Sequence, residues 1–323
     1  MDSNFPTLRF MSFSEENITS WMNNWPIKHR LSVAIISFFG IFFNFLTLIT
    51  FFCQCKKIFR KVHSVFAINL FISEIIINIS SFVWVFLPYH KRPEHVHLTV
   101  QSFIWLGVSL ATVALLMMVV ERVCFVVFAK RMLEQGHNAL LYCCFAWFFF
   151  LVYGMLMVDE VLVRYFTIVI IFYLCSFVLV ICSMSVHRVT KQLEINEQRV
   201  TELNGEGIHD LTEVEQLDQA YRSHRRAVRR ESRRTNTVLI LVVIFLLTAF
   251  PYMILMLVVV LLEFACEGCG FNKSTNKVAK ILFPIEMLNF AVTPLVYFWQ
   301  MPKFRQKCVR NFVSFFNFGE HWH

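Results

Sequence analysis

Residues 237–262 read TVLILVVIFLLTAFPYMILMLVVVLL, an unbroken apolar run without a charged side chain. A helix needs roughly 20 predominantly apolar residues to cross the hydrocarbon core of a bilayer. Because no water in that core can satisfy the backbone, such a run is predicted to be a membrane-spanning helix. Six further runs of comparable length occur: Leu31–Phe52, Val65–Leu87, Leu98–Phe128, Ala139–Val158, Val161–Val186 and Val278–Trp299. The sequence therefore predicts an all-α membrane protein, a seven-transmembrane helix bundle.

The composition leaves little room for anything besides this bundle. Of 323 residues, 57% are hydrophobic and only 16% are charged, against about 25% charged in a typical soluble domain. We expect an extracellular N-terminal tail at 1–30, and a seven-helix domain at 31–301 that includes an inner loop at 189–235. An amphipathic helix and cytoplasmic tail follow at 302–323. The net charge of +8 does not indicate nucleic-acid binding, because the basic residues lie beside the spans.

The distribution of Lys and Arg predicts the orientation, since cytoplasmic loops carry an excess of these residues. With the N-terminus outside, most of the 30 basic residues fall on the inner side. We therefore expect a multi-pass plasma-membrane protein with its N-terminus outside. Sequons at Asn17 and Asn272 fall outside in that topology and predict glycosylation, with unmodified surface Asn as the alternative. A third sequon, at Asn78, lies within a span and is interpreted as a chance match.

The inner segment between the fifth and sixth spans is acidic first and basic afterwards. We expect both flanking helices to extend past the membrane, with a mobile stretch around Gly205 and Gly207. The Arg run from Arg222 to Arg234 either attracts the anionic membrane surface or forms a docking edge for a cytosolic partner. Ser232, which follows two Arg and a Glu, is a candidate phosphorylation site for a basophilic kinase.

Aromatic and basic residues recur at helical spacing after the last span, where Phe304, Phe312, Phe315 and Phe316 alternate with Lys and Arg. This pattern predicts a short amphipathic eighth helix that lies along the inner membrane surface in contact with lipid. Cys308 within it is either an acylation site or a lipid-facing thiol.

Two cysteines, Cys266 and Cys269, fall on the outer, oxidising side. Their Cys-x-x-Cys spacing predicts a small local disulfide. A metal-binding pair is the alternative, but two ligands are too few and no His lies nearby. Because no His lies well inside a span and no Ser-His-Asp set can converge, we predict no metal, no cofactor and no enzymatic activity.

Four of the charged residues within the spans stand out, since charges in that position are costly and usually functional. Glu74 lies in the middle of the second span, Glu121 and Arg122 near the inner end of the third, and Glu286 in the outer half of the seventh. Snorkelling to the interface would explain Arg122 but not the Glu beside it. An Arg held by a neighbouring carboxylate can exchange partners, which makes the pair a candidate two-state switch.

Short motifs follow one another in order on successive spans. They are Asn44, Asn69-Leu70 with Glu74, Glu121-Arg122-Val123, Trp147, Phe245 with Pro251, Asn289 with Thr293-Pro294-Leu295-Val296-Tyr297, and Phe304. In this order the chain resembles the rhodopsin-like (class A) G-protein-coupled receptors over residues 41–316, as a divergent member. Ala249 stands where the family has Trp, and no Cys lies near His97, so the usual disulfide between the third helix and the second outer loop is missing.

The resemblance implies a heterotrimeric G protein as the inner partner and a switch at the inner ends of the helices. Arg122 would be latched by an acid at the base of the sixth helix, which the family's spacing puts at Glu231. That residue is alternatively a solvated acid on a basic face. Tyr297, three residues after Pro294, would partner Arg122 in the open state.

The resemblance also implies an intramembrane polar core of Asn44, Glu74 and Asn289, and an outer ligand pocket. We place the pocket at Gln101, Trp105, Tyr252, Phe283 and Glu286. Glu286 is either a structural carboxyl or a counter-charge for a basic ligand group.

The ligand itself is of unknown class. Ile104 stands where amine receptors carry Asp, which argues against a biogenic amine. Met287 stands where opsins carry Lys, which argues against retinal. We expect a receptor that transmits an extracellular signal to a G protein. A transporter or channel is the alternative, although it would show inverted repeats with Gly/Pro-broken helices. A receptor-like protein that no longer couples is a third possibility, given Val123, Ala249 and Thr293.

Overall fold

The computed structural model describes residues 25–52, 62–86, 94–126, 136–156, 161–204, 211–266, 269–270, 272–301, 305–307 and 309–310. Apart from short turns these residues are helical, and no strand occurs among them. Seven long helices follow one another: α1 (Ile27–Phe52), α2 (Val62–Phe86), α3 (Glu94–Val126), α4 (Gly136–Leu156), α5 (Val161–Asn204), α6 (Leu211–Ala265) and α7 (Lys273–Gln300). Residues 305–307 and 309–310 are also helical, where the amphipathic eighth helix is predicted.

All seven helices are long and apolar enough to cross a membrane, and the predicted seven-helix fold is confirmed. Helices α5 and α6 contain 44 and 55 residues, well beyond the roughly 20 that a bilayer requires. Their extra length carries the charged segment between the fifth and sixth spans, which is rich in the helix-forming residues Glu, Gln and Arg. Both helices therefore continue into the charged segment, and their extension past the membrane stays a prediction.

The helices bury their surfaces to very different degrees. Helices α2 and α3 are the most buried, whereas α4 is the least. Helix α2 packs against α1 and α3, α7 closes against α1 and α6, and α5 lies against α3 and α6. Large apolar side chains on the perimeter, such as Phe148 of α4 and Phe177 of α5, are two-thirds exposed, as expected for side chains that lipid covers.

Two glycines let α1, α2 and α3 approach closely. A Cβ atom at Gly107 of α3 would lie 2.5 Å from Cγ1 of Ile77 and 3.1 Å from the carbonyl oxygen of Ser73, both on α2. A Cβ atom at Gly40 of α1 would collide with the side-chain amide of Asn78 on α2. Small residues at helix crossings allow such backbone contact. The polar residues of these three helices are consequently held in close proximity.

A side-chain cap begins α7. The Oδ1 atom of Asn272 accepts hydrogen bonds from the backbone N–H groups of Ser274 and Thr275, at 2.8 and 3.0 Å. Asn is among the preferred N-cap residues because its side-chain oxygen satisfies amides that have no partner within the helix. Its Nδ2 atom donates to the carbonyl oxygen of Cys269 at 2.9 Å. Asn272, which the sequence analysis treats as a glycosylation site, therefore also has a structural role.

The turn between α6 and α7 is closed by a disulfide and a buried carboxylate. Cys266 and Cys269 are bonded to each other, with their Cα atoms 5.5 Å apart. Glu263, near the end of α6, accepts a hydrogen bond from the backbone N–H of Gly270 at 2.9 Å. No group of three or more potential metal ligands occurs among the described residues, so within that part of the chain the cysteine pair does not belong to a larger ligand set.

Candidate functional site

Arg122 is buried near the C-terminal end of α3, with only 3% of its surface exposed. Its Nε and one terminal nitrogen donate to the two carboxylate oxygens of Glu121, at 2.7 and 2.5 Å. A guanidinium that meets both oxygens of a carboxylate forms one of the strongest and most directional polar contacts in proteins. The cation does not reach the surface of the bundle, which argues against snorkelling and favours the switch interpretation.

His63 of α2 connects this ion pair to α7. Its Nδ1 atom lies 3.8 Å from Oε2 of Glu121, and its ring stacks on Tyr297, with the centroids 6.5 Å apart and the planes at 27°. Tyr297 is buried, and its hydroxyl lies 3.4 Å from the sulfur of Met118 on α3. Arg234 of α6 is close enough to interact electrostatically with His63. We call Glu121, Arg122, His63 and Tyr297 the Arg122 cluster.

Other residues predicted for the inner side are described only in part. Pro294 is buried in α7, three residues before Tyr297. Glu231 and Ser232 lie in α6, but their side chains are outside the described part of the molecule, as is Asn17 altogether. The Glu231 latch, the phosphorylation of Ser232 and the glycosylation of Asn17 stay predictions.

A proline in α7 organises the polar residues in the middle of the bundle. Pro294 has no backbone N–H, so the carbonyl oxygen of Phe290, four residues earlier, loses its ordinary helical donor. The side-chain amides of Asn44 and Asn78 donate to that oxygen instead, at 2.8 and 3.4 Å. Asn44 therefore joins α1 to α7. Asn78, whose sequon the sequence analysis interprets as chance, joins α2 to the same point.

The predicted core residues Glu74 and Asn289 line a cavity of about 250 Å³ between α2, α3, α6 and α7. The Glu74 carboxyl interacts with the side chains of Thr293 and Asn44, and its Oε2 atom is buried without a hydrogen-bond partner in the described structure. Ala111 contributes a methyl group to the wall rather than a hydroxyl. The structure thus brings Asn44, Glu74 and Asn289 into one region.

All five residues predicted for the ligand pocket line one cavity near the opposite end of the bundle. The cavity measures about 340 Å³, and its walls are Trp84, Gln101, Ile104, Trp105, Val108, Tyr252, Phe283 and Glu286. At 1.5 Å per residue, Gln101 and Arg122 are about 30 Å apart along α3. We call this space the Glu286 cavity. The cavity lined by Glu74 and Asn289, which we call the Glu74 cavity, lies between it and the Arg122 cluster.

The polar groups of the Glu286 cavity differ in how they are satisfied. Gln101 donates from its side-chain nitrogen to the hydroxyl of Tyr165 on α5, and the Tyr165 ring meets Trp105 edge-on at 5.0 Å. Glu286 is only 1% exposed, and its Oε1 atom has no hydrogen-bond partner among the described residues. This orphan oxygen is compatible both with a protonated structural carboxyl and with a counter-charge for a basic ligand group, so the two interpretations stay open.

Sequence reasoning missed several residues that these sites contain. Trp25, just before α1, contacts Trp84 and Phe283 edge-on at 5.3 and 5.7 Å. A Trp beside a Pro at the start of a span is a signal that could have pointed to it, because such rings anchor helix ends. No comparable signal marks His63 or Asn78, since their roles depend on contacts with other helices.

Comparison with protein-family models matches residues 157–297 to the 7 transmembrane receptor (rhodopsin family). The matched segment includes α5, α6 and α7 as far as Tyr297, and hence one wall of each cavity. The motif residues of α1–α4 lie outside it. No curated protein matches the chain significantly. With the seven helices that can span a membrane and the ordered motifs, this match, which covers less than half of the chain, supports membership of the rhodopsin-like (class A) G-protein-coupled receptor family.

Proposed function

We propose that this receptor binds an extracellular ligand in the Glu286 cavity and passes the signal to a heterotrimeric G protein at the Arg122 cluster. The burial of Arg122 against Glu121 is the observation that carries the proposal. A charged group removed from water requires a partner at all times. A buried cation that Glu121 holds in the closed bundle, and that can take a different partner when the bundle opens, has the property that a switch needs.

The resting state holds Arg122 on the carboxylate of Glu121. Outward movement of the cytoplasmic half of α6 would open a space beside the cluster. Arg122 would then leave Glu121 for Tyr297 and for the inserted G protein. His63 lies between the two partners, since it approaches Glu121 and stacks on Tyr297. Glu231, near the base of α6, is proposed as a second restraint on the closed state.

Helix α6 provides a route from the ligand to the cluster. Tyr252 lines the Glu286 cavity, and Pro251 beside it interrupts the helical hydrogen bonds of α6, which permits a bend at that point. One to two turns towards the Arg122 cluster, Phe245 lines the Glu74 cavity and packs against Phe172 of α5 at 5.3 Å. A ligand at Tyr252 that binds more tightly when α6 is bent than when it is straight would shift the equilibrium of the switch.

The proposed orientation puts the N-terminus and the Glu286 cavity on the extracellular side of the plasma membrane. The disulfide-closed turn with Asn272 would then lie outside, and the Arg-rich start of α6 inside. That Arg run would supply the docking edge for the G protein, next to the anionic lipid surface. Phosphate on Ser232 would place negative charge among these Arg residues and weaken the docking.

The test is G-protein dissociation in cells, at matched surface expression and without added ligand. Glu121→Gln removes the charge that holds Arg122, so basal dissociation should rise several-fold. Adding Arg122→Ala to that variant should return the signal to background, because the group that contacts the G protein is then missing. Glu231→Ala should also raise basal dissociation if the second restraint exists.

Arg188→Ala is the matched control, because Arg188 is an exposed cation of α5 and its loss should leave the signal unchanged. If Glu121→Gln reaches the surface and gives no rise with any G-protein class, coupling through Arg122 is contradicted. The receptor-like protein that no longer couples would then be the better description.

A further inference from the structure

Half of the residues that line the Glu286 cavity are aromatic. Trp84 of α2, Trp105 of α3, Tyr252 of α6 and Phe283 of α7 all line it, and none of its lining residues is basic. Aromatic faces attract cations through their negative π surfaces, most strongly when water is excluded. A cavity of this kind selects an organic cation over a neutral molecule of the same shape.

Glu286 adds an acidic group at the same place. Its carboxyl is buried, and Oε1 has no hydrogen-bond partner among the described residues. A buried carboxyl without a partner is stable only when it is protonated, whereas one that meets a cation can ionise. Because the lining side chains provide no cation, a ligand that carries one would supply the counter-charge.

Trp25 packs edge-on against the aromatic wall residues of the cavity. It precedes α1, is 5% exposed, and contacts two wall residues, Trp84 and Phe283, which also contact each other at 5.7 Å. Its indole Nε1 is buried without an acceptor in the described part of the chain. An unsatisfied buried N–H is unfavourable, so the large ring is held there by packing and not by a hydrogen bond of its own.

We propose that the Glu286 cavity takes a compact organic cation, whose charged group lies on the Glu286 carboxylate among the aromatic rings, with Trp25 as the lid that closes over it. This inference rests on the proposed function, because it names the ligand class of the same cavity. The free space between the wall residues is small, which favours a small ligand around which the wall side chains rearrange.

The anchor differs from that of the amine receptors considered above. Ile104 of α3 is a wall residue of the cavity and offers no charge. The cation is held from α7 instead, one turn past Phe283. A trimethylammonium or guanidinium group fits this arrangement, since either can meet a carboxylate while it stacks on aromatic rings.

The test is the melting temperature of the purified full-length receptor with defined probes. The probes are benzyltrimethylammonium, choline and the neutral shape analogue of choline, 3,3-dimethylbutan-1-ol. At ten times the dissociation constant, a bound cation should raise the melting temperature by about 2–4 °C, and the neutral analogue should have a much smaller effect. If neither cation stabilises the receptor more than the neutral alcohol does, the proposal is overturned.

Four variants locate the site. Glu286→Gln keeps the shape and the hydrogen-bonding capacity but removes the charge, so it should weaken cation binding at least tenfold. Unchanged cation binding would mean that the Glu286 carboxylate does not hold the cation, and would overturn the proposal. Trp25→Ala should weaken binding and Trp25→Phe should largely restore it, while Ile27→Ala, at a side chain 84% exposed, is the control. Equal binding by Trp25→Ala would remove Trp25 from the proposal.

The G-protein dissociation that Glu121→Gln should give without ligand distinguishes a failure of this proposal from a failure of the proposed function. A receptor in which that variant signals, but to which no cation binds, would keep its function and lose the ligand class. A receptor that binds the cation but never releases a G protein would lose the function and keep the site.

Discussion

At the scale of single residues, side-chain amides satisfy a backbone carbonyl that a proline leaves without its helical donor. The carbonyl oxygen of Phe290 accepts from Asn44 and Asn78 because Pro294 cannot donate to it. An unsatisfied carbonyl inside a bundle is unfavourable. The two Asn residues therefore satisfy the carbonyl that Pro294 leaves without a helical donor, and α1, α2 and α7 meet at this one atom.

Asn44→Leu should lower the free energy of unfolding by about 1 kcal/mol, because the Phe290 carbonyl loses its closer donor. The loss should be smaller in a Pro294→Ala background, since Ala restores a backbone N–H at the position that ordinarily serves that carbonyl. Thermal unfolding of the four proteins of this cycle measures the difference. Ser185→Ala is the control, as its hydroxyl bonds only within α5 at an exposed position. Strict additivity of the two substitutions would contradict the account.

His63 shows the limit of reading residues one at a time. An imidazole at the end of an apolar run has no obvious role in the sequence. In the structure it is buried between a carboxylate and a phenol. It is therefore part of the Arg122 cluster, even though the motif that predicts the cluster, Glu121-Arg122, lies on another helix.

At the scale of helices, the close packing of α2 against α1 at Gly40 and against α3 at Gly107 fixes the arrangement of these three helices. Helix α4 contrasts with them: it is the least buried of the seven. Its Trp147 donates from Nε1 to Oδ1 of Asn69 on α2 at 2.7 Å, which holds this peripheral helix to the centre of the bundle. Both residues belong to the motifs that carry the family resemblance.

Gly107→Ala should lower the melting temperature and the surface expression, because its methyl group would press on Ile77 and the Ser73 backbone of α2. Gly154→Ala on α4 is the matched control: nothing lies within 4 Å of the added Cβ atom. There Ala should raise the melting temperature slightly, since Gly is about 1 kcal/mol less favourable than Ala in a helix interior. Similar effects of the two substitutions would contradict close packing of α2 and α3.

At the scale of the whole molecule, orientation in the membrane decides which cavity meets the outside. If the N-terminus is extracellular, both sequons are accessible to glycosylation. Endoglycosidase treatment of the wild type should then increase its gel mobility, and Asn17→Gln should remove part of that shift.

The second sequon allows modification to be separated from structure. Ser274→Ala destroys the sequon but leaves the Asn272 side chain in place as the cap of α7, so it should remove a glycan without lowering the melting temperature. Asn272→Gln should remove the glycan and also lower the melting temperature, because the longer side chain fits the cap poorly. Unglycosylated wild-type protein at the cell surface would count against the proposed orientation.

Much of the architecture could be predicted because the bilayer acts on each segment separately. The length and hydropathy of one run, such as 237–262, decide whether it can span, whatever the other runs do. The same holds for the continuation of α5 and α6 into the charged segment, which follows from local composition. Five of the residues that line the Glu286 cavity were predictable, because family motifs set the register of each helix.

The amino-acid sequence by itself determined that seven helices cross the membrane, and it placed their charged residues along each helix. Only the tertiary structure decided that Asn78 meets Phe290, that His63 joins Glu121 to Tyr297, and that Trp25 covers Phe283. The physical reason is that hydropathy is a property of one segment. A contact between two helices depends on how each is rotated about its axis and on how deep each lies in the membrane. The sequence of one segment determines neither quantity.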